Sequence, residues 1–179
     1  MKSTDLIINV NPKSIFGESI KTIRTNLAFS AIGNEMKVLL ATSPAAGDGK
    51  SFISANLAVA YAQEGKKVLM IDCDLRRGRQ HEIFEVMNLT SGGYSNLILN
   101  YKEDVNLGKY IMKTSNANVD LLPTGPTPPN PIELLASENN QKLLNELRKL
   151  YDIIILDCPP VIGLSDTMIM TKFSDANII

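Results

Sequence analysis

The chain has 179 residues, 44% of them hydrophobic and 21% charged, with a formal net charge of −1. This is the composition of a globular domain with a sizeable core, and it offers no basic excess for a nucleic-acid partner. The longest apolar stretches, such as IIIL at 153–156, are far short of a membrane span. The first ten residues have no apolar core of signal-peptide length, and two cysteines, Cys73 and Cys158, make no disulfide framework, so the cytosol is the expected compartment.

Phe16, Ile20, Ile23 and Leu27 recur at helical spacing and predict an amphipathic helix over 16–31, with Gly33 as its stop. KVLLAT (37–42) is a short apolar run ending in small polar residues and predicts a buried strand. The loop 43–49 leads into an alanine-rich helix that starts at Lys50 and closes at Gly65. KVLMID (67–72) predicts a second buried strand, 79–89 a helix, and 94–113 one or two helices. VDLLPTG (119–125) is a third strand candidate. Asn130 is expected to cap a helix that starts at Pro131, with Glu133 in the capping-box position. Residues 139–150 read as a second helical stretch there, and YDIIILD (151–157) as a fourth strand. SDANII (174–179) reads as the entry to a fifth strand, so the sequence is expected to be truncated, the alternative being a short final strand.

Buried strands that lack period-2 alternation and are separated by helices imply an α/β fold, a parallel sheet with helices on both faces. Ligands in such folds sit at the C-terminal ends of strands. The stretches 43–51, 72–76 and 157–160 therefore carry the functional weight.

SPAAGDGKSF (43–52) ends like a phosphate-binding loop but begins with Pro44 where the common pattern has glycine. A strand, a tight loop and a helix N-terminus together aim backbone N–H groups and a partial positive charge at one spot. Gly47 and Gly49 allow close backbone approach, Lys50 can reach β- and γ-phosphates, and the Ser51 hydroxyl can ligate Mg²⁺. The plain alternative is an ordinary strand–helix turn with a solvated lysine. Asp72, Asp74 and Asp157 each stand just past a buried strand, where a carboxylate can hold Mg²⁺ directly or through water, or serve as a base. A single such aspartate could equally cap a turn; three near one Lys–Ser pair point to a site. Arg76, Arg77 and Arg79 either steer phosphates, bind a partner's acids, or make a solvated basic turn. His81, the only histidine, reads as a surface or helix residue, and the cysteines lack metal-site spacing.

These motifs together resemble the bacterial tyrosine kinases of capsule and exopolysaccharide synthesis, from about residue 14 to the end. SPAAGDGKS is similar to their Walker A loop, VLMIDCDLR to their D-x-D-x-R motif, and IIILDCPP to their Walker B motif, with Cys158 in place of Ser or Thr. GPTPPNPIELL resembles their loop before a helix. The resemblance implies one P-loop NTPase-like kinase domain over 1–179, with the helix 16–31 ahead of a core over about 36–179. It implies ATP and Mg²⁺ as cofactors, with Ala46, Gly47, Asp48, Gly49, Lys50, Ser51 and Phe52 binding the nucleotide. Ser51 would bind Mg²⁺, Asp74 and Asp157 would hold its waters, and Asp72 would help activate the tyrosine hydroxyl.

The resemblance also implies protein-tyrosine substrates, trans-autophosphorylation of a tyrosine-rich tail, and a membrane-bound activator that keeps the protein cytoplasmic but peripheral to the plasma membrane. Ring assembly in the family uses an E-x-x-R-x-x-R helix; here the positions are Glu18, Lys21 and Arg24, and lysine lacks the guanidinium fork. The five tyrosines (Tyr61, Tyr94, Tyr101, Tyr110, Tyr151) are scattered rather than clustered, and the family's adenine-recognition segment is not among these residues. Two other readings stand beside the kinase. A MinD/ParA-type ATPase switch would carry a signature lysine where this loop has Ala45, and would lack D-x-D-x-R. A nucleotide-binding scaffold without kinase activity is the third.

Overall fold

The computed structural model describes residues 6–30, 35–88, 92–162 and 165–179. Gly33, the expected helix stop, lies outside the described residues. A short helix α1 (Ile7–Val10) precedes α2 (Ile15–Ser30). Three strands form the centre: β1 (Val38–Ala41), β2 (Val68–Asp72) and β5 (Ile153–Asp157). Every residue of these strands is buried, which is why their sequences show no polar alternation. The sheet is completed by β3 (Met112–Lys113), β4 (Val119–Leu122) and β6 (Ala176–Ile178), in the order β3-β4-β2-β5-β1-β6. All pairings are parallel except β3 with β4.

Alternate residues of each strand feed two cores. Leu39, Met70 and Ile155 pack with Leu57 and Ala58 of α3 (Lys50–Ala62) and Ile20 of α2. Leu40, Ile71 and Leu156 pack on the other face with Leu97 of α5 (Tyr94–Leu99) and with Leu143 and Leu147 of α7 (Glu138–Leu150). Burying one such side chain is worth about 1.5–3 kcal/mol. The sheet is therefore held rigidly between two helical layers.

Two expectations are corrected. Of the expected helix 79–89, the described residues 79–88 are α-helical only over α4 (Gln80–Ile83), and Glu85 then takes a left-handed conformation with φ 53°, which breaks the helix. The stretch 94–113 does contain helices, α5 and a 3₁₀ turn at Leu107–Lys109, and adds strand β3, a run too short for its period to show, whose Lys113 pairs with Asp120 of β4. Helix α6 (Pro131–Leu135) does start at Pro131, but the Asn130 side chain makes no capping bond. Its start rests on the fixed φ of Pro131 and on the Leu134 N–H donating to the Asn130 carbonyl at 3.2 Å. The side-chain cap belongs instead to Ser137, which accepts from the Asn140 N–H at the head of α7. The last stretch does enter the sheet, as β6 beside β1.

Arg24 of α2 is tied to the far end of α3, donating to the Ala60 carbonyl at 2.9 Å and pairing with Glu64 at 2.7 Å. A cation at a helix C-terminus is favoured by the helix dipole. Glu18 and Lys21 pair with each other at 2.8 Å. Beneath Arg24, the Tyr61 hydroxyl is buried without a hydrogen-bond partner among the described residues. Burial raises its pKa to about 12, against Arg24, which lowers it, and with Glu64, which raises it. The unfolded chain ionises Tyr61 near 10, so the folded state loses stability as pH rises from 10 through about 12. Tyr61→Phe is expected to flatten that alkaline loss and to gain up to about 1 kcal/mol at neutral pH by deleting an unsatisfied polar atom. Urea unfolding at pH 7 and near pH 11 checks both; a variant as alkali-sensitive as the parent would refute the assignment.

Candidate functional site

The sheet register brings the site together. Ala41 of β1 lies opposite Asp157 of β5, and Asp157 lies opposite Asp72 of β2. The loop 43–49 leaves β1 at this edge and turns into α3 at Lys50. Ser43 Oγ donates to the Ala45 carbonyl at 2.8 Å, and the Ala45 N–H donates to Asp48 Oδ2 at 2.8 Å, which closes the loop on itself. Gly47 and Gly49 hold φ 94° and 90° with open space where a Cβ would stand. Only glycine takes that backbone without strain, and Gly49 immediately precedes the first turn of α3.

Lys50 Nζ is 3.1 Å from Ser51 Oγ, 3.4 Å from Asp157 Oδ1 and 4.0 Å from Asp74 Oδ2. Among the described residues, Asp157 and Asp74 have no other basic partner. A cleft of about 610 Å³ opens here. Ala46, Gly47, Gly49, Lys50, Ser51, Phe52 and Asp74 line it, and so do Arg76, Arg77 and Arg79, with Ile83 and Pro160 adding apolar wall. Of the residues singled out in sequence, Asp48 is spent on the loop's own bond. Asp72 is fully buried and is not part of the cleft wall.

Both oxygens of Asp72 are engaged. Oδ1 accepts the Asp74 N–H at 3.3 Å and Oδ2 accepts the Gln80 N–H at 2.9 Å. Gly78 packs so closely on this carboxylate that a Cβ there would stand 2.6 Å from Oδ2 and would also meet the Thr124 methyl. Burial, and then the neighbouring Asp157 carboxylate, hold Asp72 well above the ordinary carboxylate range, against the pull of the Gln80 N–H and Lys50. Cys73 and Cys158 follow these aspartates and are buried; burial pushes the Cys73 thiol up, so it is a poor nucleophile.

Gln80 is the residue that sequence reasoning missed. Fully buried, its Nε2 donates to Asp157 Oδ2 at 2.7 Å, the Ser51 carbonyl at 3.0 Å and Ser54 Oγ at 3.1 Å. It thereby ties α3 to two of the three aspartates. A lone glutamine in a basic turn carries no motif; only the fold brings it under the loop. Gln80→Leu keeps the volume and removes the donors. It is expected to lower kcat/KM about tenfold, the worth of one hydrogen bond to a charged acceptor, with a lower Tm. Gln80→Glu, which sets a third carboxylate against Asp157, should cost more. Steady-state kinetics over a Mg²⁺ series checks the order of the two.

The donor set fits a hard cation shared with phosphates. Ser51 offers a hydroxyl and Asp74 and Asp157 offer carboxylates, yet no three His, Cys, Asp or Glu side chains among the described residues are spaced to cage a metal alone. Mg²⁺ is commonly bound by one or two carboxylates plus substrate phosphates.

A parallel sheet, a glycine loop entering a helix and acidic strand ends define a P-loop nucleoside-triphosphatase fold. The AAA-domain family model matches residues 36–179. The tyrosine-protein kinase YwqD of Bacillus subtilis (strain 168) is 37% identical over 175 residues, covering 98% of this chain and 72% of that protein. The kinase domain of the Escherichia coli tyrosine kinase ETK superposes with a TM-score of 0.89 at 32% identity, over 97% of this chain and 66% of that one. The septum-site-determining protein MinD of Pyrococcus horikoshii OT3, complexed with Mg-ADP, stands further off, with a TM-score of 0.62 and 25% identity over 79% of this chain and 56% of that one. The chain belongs to the bacterial tyrosine kinases of the capsular and exopolysaccharide family.

Proposed function

We propose that this chain transfers the terminal phosphate of ATP to tyrosine hydroxyls of proteins, in the control of capsular or extracellular polysaccharide synthesis and export. The observation that carries the reading is the meeting of Lys50, Ser51, Asp74 and Asp157 at one mouth of the sheet, beside a cleft of about 610 Å³. Ala46 to Phe52 would cradle the triphosphate through backbone N–H groups, with Lys50 on the β- and γ-phosphates. Mg²⁺, held by Ser51 and through water by Asp74 and Asp157, would neutralise charge on the phosphates.

The tyrosine oxygen forms a bond to the γ-phosphorus, the bond from that phosphorus to the β–γ bridging oxygen breaks, and ADP leaves. The phenolic proton passes to a carboxylate. Family resemblance gives that role to Asp72. A second reading gives it to Asp74, because Asp74 lines the cleft and Asp72 does not.

The acceptors are expected to be tyrosines in exposed segments. Tyr61, Tyr94 and Tyr151 are buried in this chain and Tyr101 and Tyr110 are half-buried. Among the described residues no helix is long and apolar enough to cross a membrane. A membrane-bound activator would then hold the chain at the plasma membrane from the cytoplasmic side. Self-association through α2 would rely on Glu18 and Lys21 more than on Arg24, which is already bound to α3.

Incubation with γ-labelled ATP, Mg²⁺ and tyrosine-containing protein should give phosphotyrosine. Hydrolysis of ATP with no phosphotyrosine on any acceptor would replace this reading with that of an ATPase switch. Nucleotide binding without turnover would replace it with that of a scaffold.

A further inference from the structure

We propose that the turn after β2 is the acceptor-recognition wall of the cleft, and that the tyrosine it takes is flanked by acidic side chains. This rests on the tyrosine-kinase reading and names the substrate class of the same site. Arg76, Arg77 and Arg79 all line the cleft that Lys50 and Ser51 enter, although the chain as a whole has a net charge of −1. The phosphate loop supplies its own lysine and backbone donors for a triphosphate, so three further guanidinium groups exceed what the nucleotide needs.

Their local chemistry separates them. Arg76 is anchored: its Nε lies 3.5 Å from Asp166 Oδ2, and Asp166 is 1% exposed, with neither carboxylate oxygen hydrogen-bonded among the described residues. Asp166 therefore acts as a positioning residue that fixes one cation at the rim. Arg77 has no ion pair among the described residues, while its own N–H donates to Asp74 Oδ1 at 3.0 Å, which ties its backbone to a site carboxylate. Among the described residues Arg79 pairs only with Glu82, at 3.0 Å, three residues on, and both side chains are exposed. Such a pair holds little energy and yields readily to a better ligand. A guanidinium accepts a carboxylate in a two-pronged bond, which lysine cannot match.

The cleft is also walled by Phe52 and Ile83, apolar surfaces suited to a phenol ring. Both candidate proton acceptors, Asp72 and Asp74, begin the same turn that carries the arginines. A tyrosine presented to Asp74 in the cleft wall lays its flanking residues beside Arg77 and Arg79, which line the same cleft.

The test uses the whole chain saturated with a non-hydrolysable ATP analogue and Mg²⁺. Fluorescent tyrosine peptides of equal length carry acidic, neutral or basic flanks, and binding is read by anisotropy; transfer from ATP is then measured on the same peptides. Acidic flanks are expected to bind about tenfold or more tighter than neutral ones, the scale of one or two charge-assisted hydrogen bonds. The preference should shrink with added salt and collapse in Arg77→Ala/Arg79→Ala, with nucleotide affinity held within about twofold. Asp166→Asn, which frees Arg76, should weaken the preference in part, whereas a merely structural role would lower Tm and leave the preference intact. Equal binding of all flanks, or a double variant that loses nucleotide and not peptide, would overturn the proposal. Flank-selective binding without transfer to any peptide would uphold the recognition of acidic flanks by this wall and sink the kinase reading instead.

Discussion

Lys50→Ala is expected to abolish phosphotyrosine formation, with a fall in kcat/KM of at least about 10²–10³-fold, the usual cost of deleting one preorganised electrostatic group at a reacting centre. Lys50 stands at the junction of Ser51, Asp74 and Asp157, within 3.1 to 4.0 Å of each. Its loss removes the phosphate anchor and also strips the only basic partner, among the described residues, from two acidic side chains. Breaking a buried pair from one side costs about 3–5 kcal/mol where the remaining charge stays fixed. The ligand-free variant should therefore melt below the parent. Lys50→Met, which keeps the aliphatic stem, separates lost charge from lost packing. Activity within a few-fold of the parent in both variants would remove Lys50 from the chemistry.

Asp72→Asn carries the second large effect, and it acts on stability and rate in opposite directions. Burial beside Asp157 raises the proton affinity of Asp72, so the folded, ligand-free protein keeps a proton that the unfolded chain has released above about 4. Folded stability then falls as pH rises from there through the raised folded value. Asparagine removes that slope and leaves an acceptor for the Gln80 N–H. Urea unfolding of the ligand-free protein should show a flatter pH profile and equal or greater stability at neutral pH. If Asp72 takes the phenolic proton, kcat should fall by about 10²–10⁴-fold with nucleotide affinity little changed. Asp72→Asn itself discriminates: an Asp72 variant that keeps its kcat would take proton transfer away from Asp72 and leave it to Asp74, whose own variant also loses a holder of the Mg²⁺ waters.

Much of the arrangement was legible in the residues because it depends on local grammar. VLLA, VLMID and IIILD carry the marks of strands buried on both sides, and GDGKS marks a helix start after a tight loop, so the α/β class and the sheet edge where the loop meets the aspartates followed from order alone. What escaped was contributed by contacts distant in sequence. Gln80 reaches Asp157 across 77 positions, and nothing near it in the chain announces the meeting. The burial of Asp72 was equally hidden. An aspartate after a strand looks the same whether it faces a cleft or lies beneath one, and only Gly78 and the Gln80 N–H closing over it decide the matter. The edge strand at Met112–Lys113 was lost because two residues are too few to display a period. Asn130 had the right residue type for a cap, yet the capping bond in this region formed at Ser137.

The seclusion of the tyrosines would matter to a tyrosine kinase packed among identical copies, where every accessible phenol on its own body would be a decoy. Here Tyr94 is enclosed with its hydroxyl bonded to Asn140 at 2.6 Å, Tyr151 donates to Asp120 at 2.8 Å, and Tyr61 lies under Arg24. Of the five tyrosines only Tyr101 and Tyr110 are even partly exposed, so the folded body offers a neighbouring copy little phenol to compete with a true acceptor.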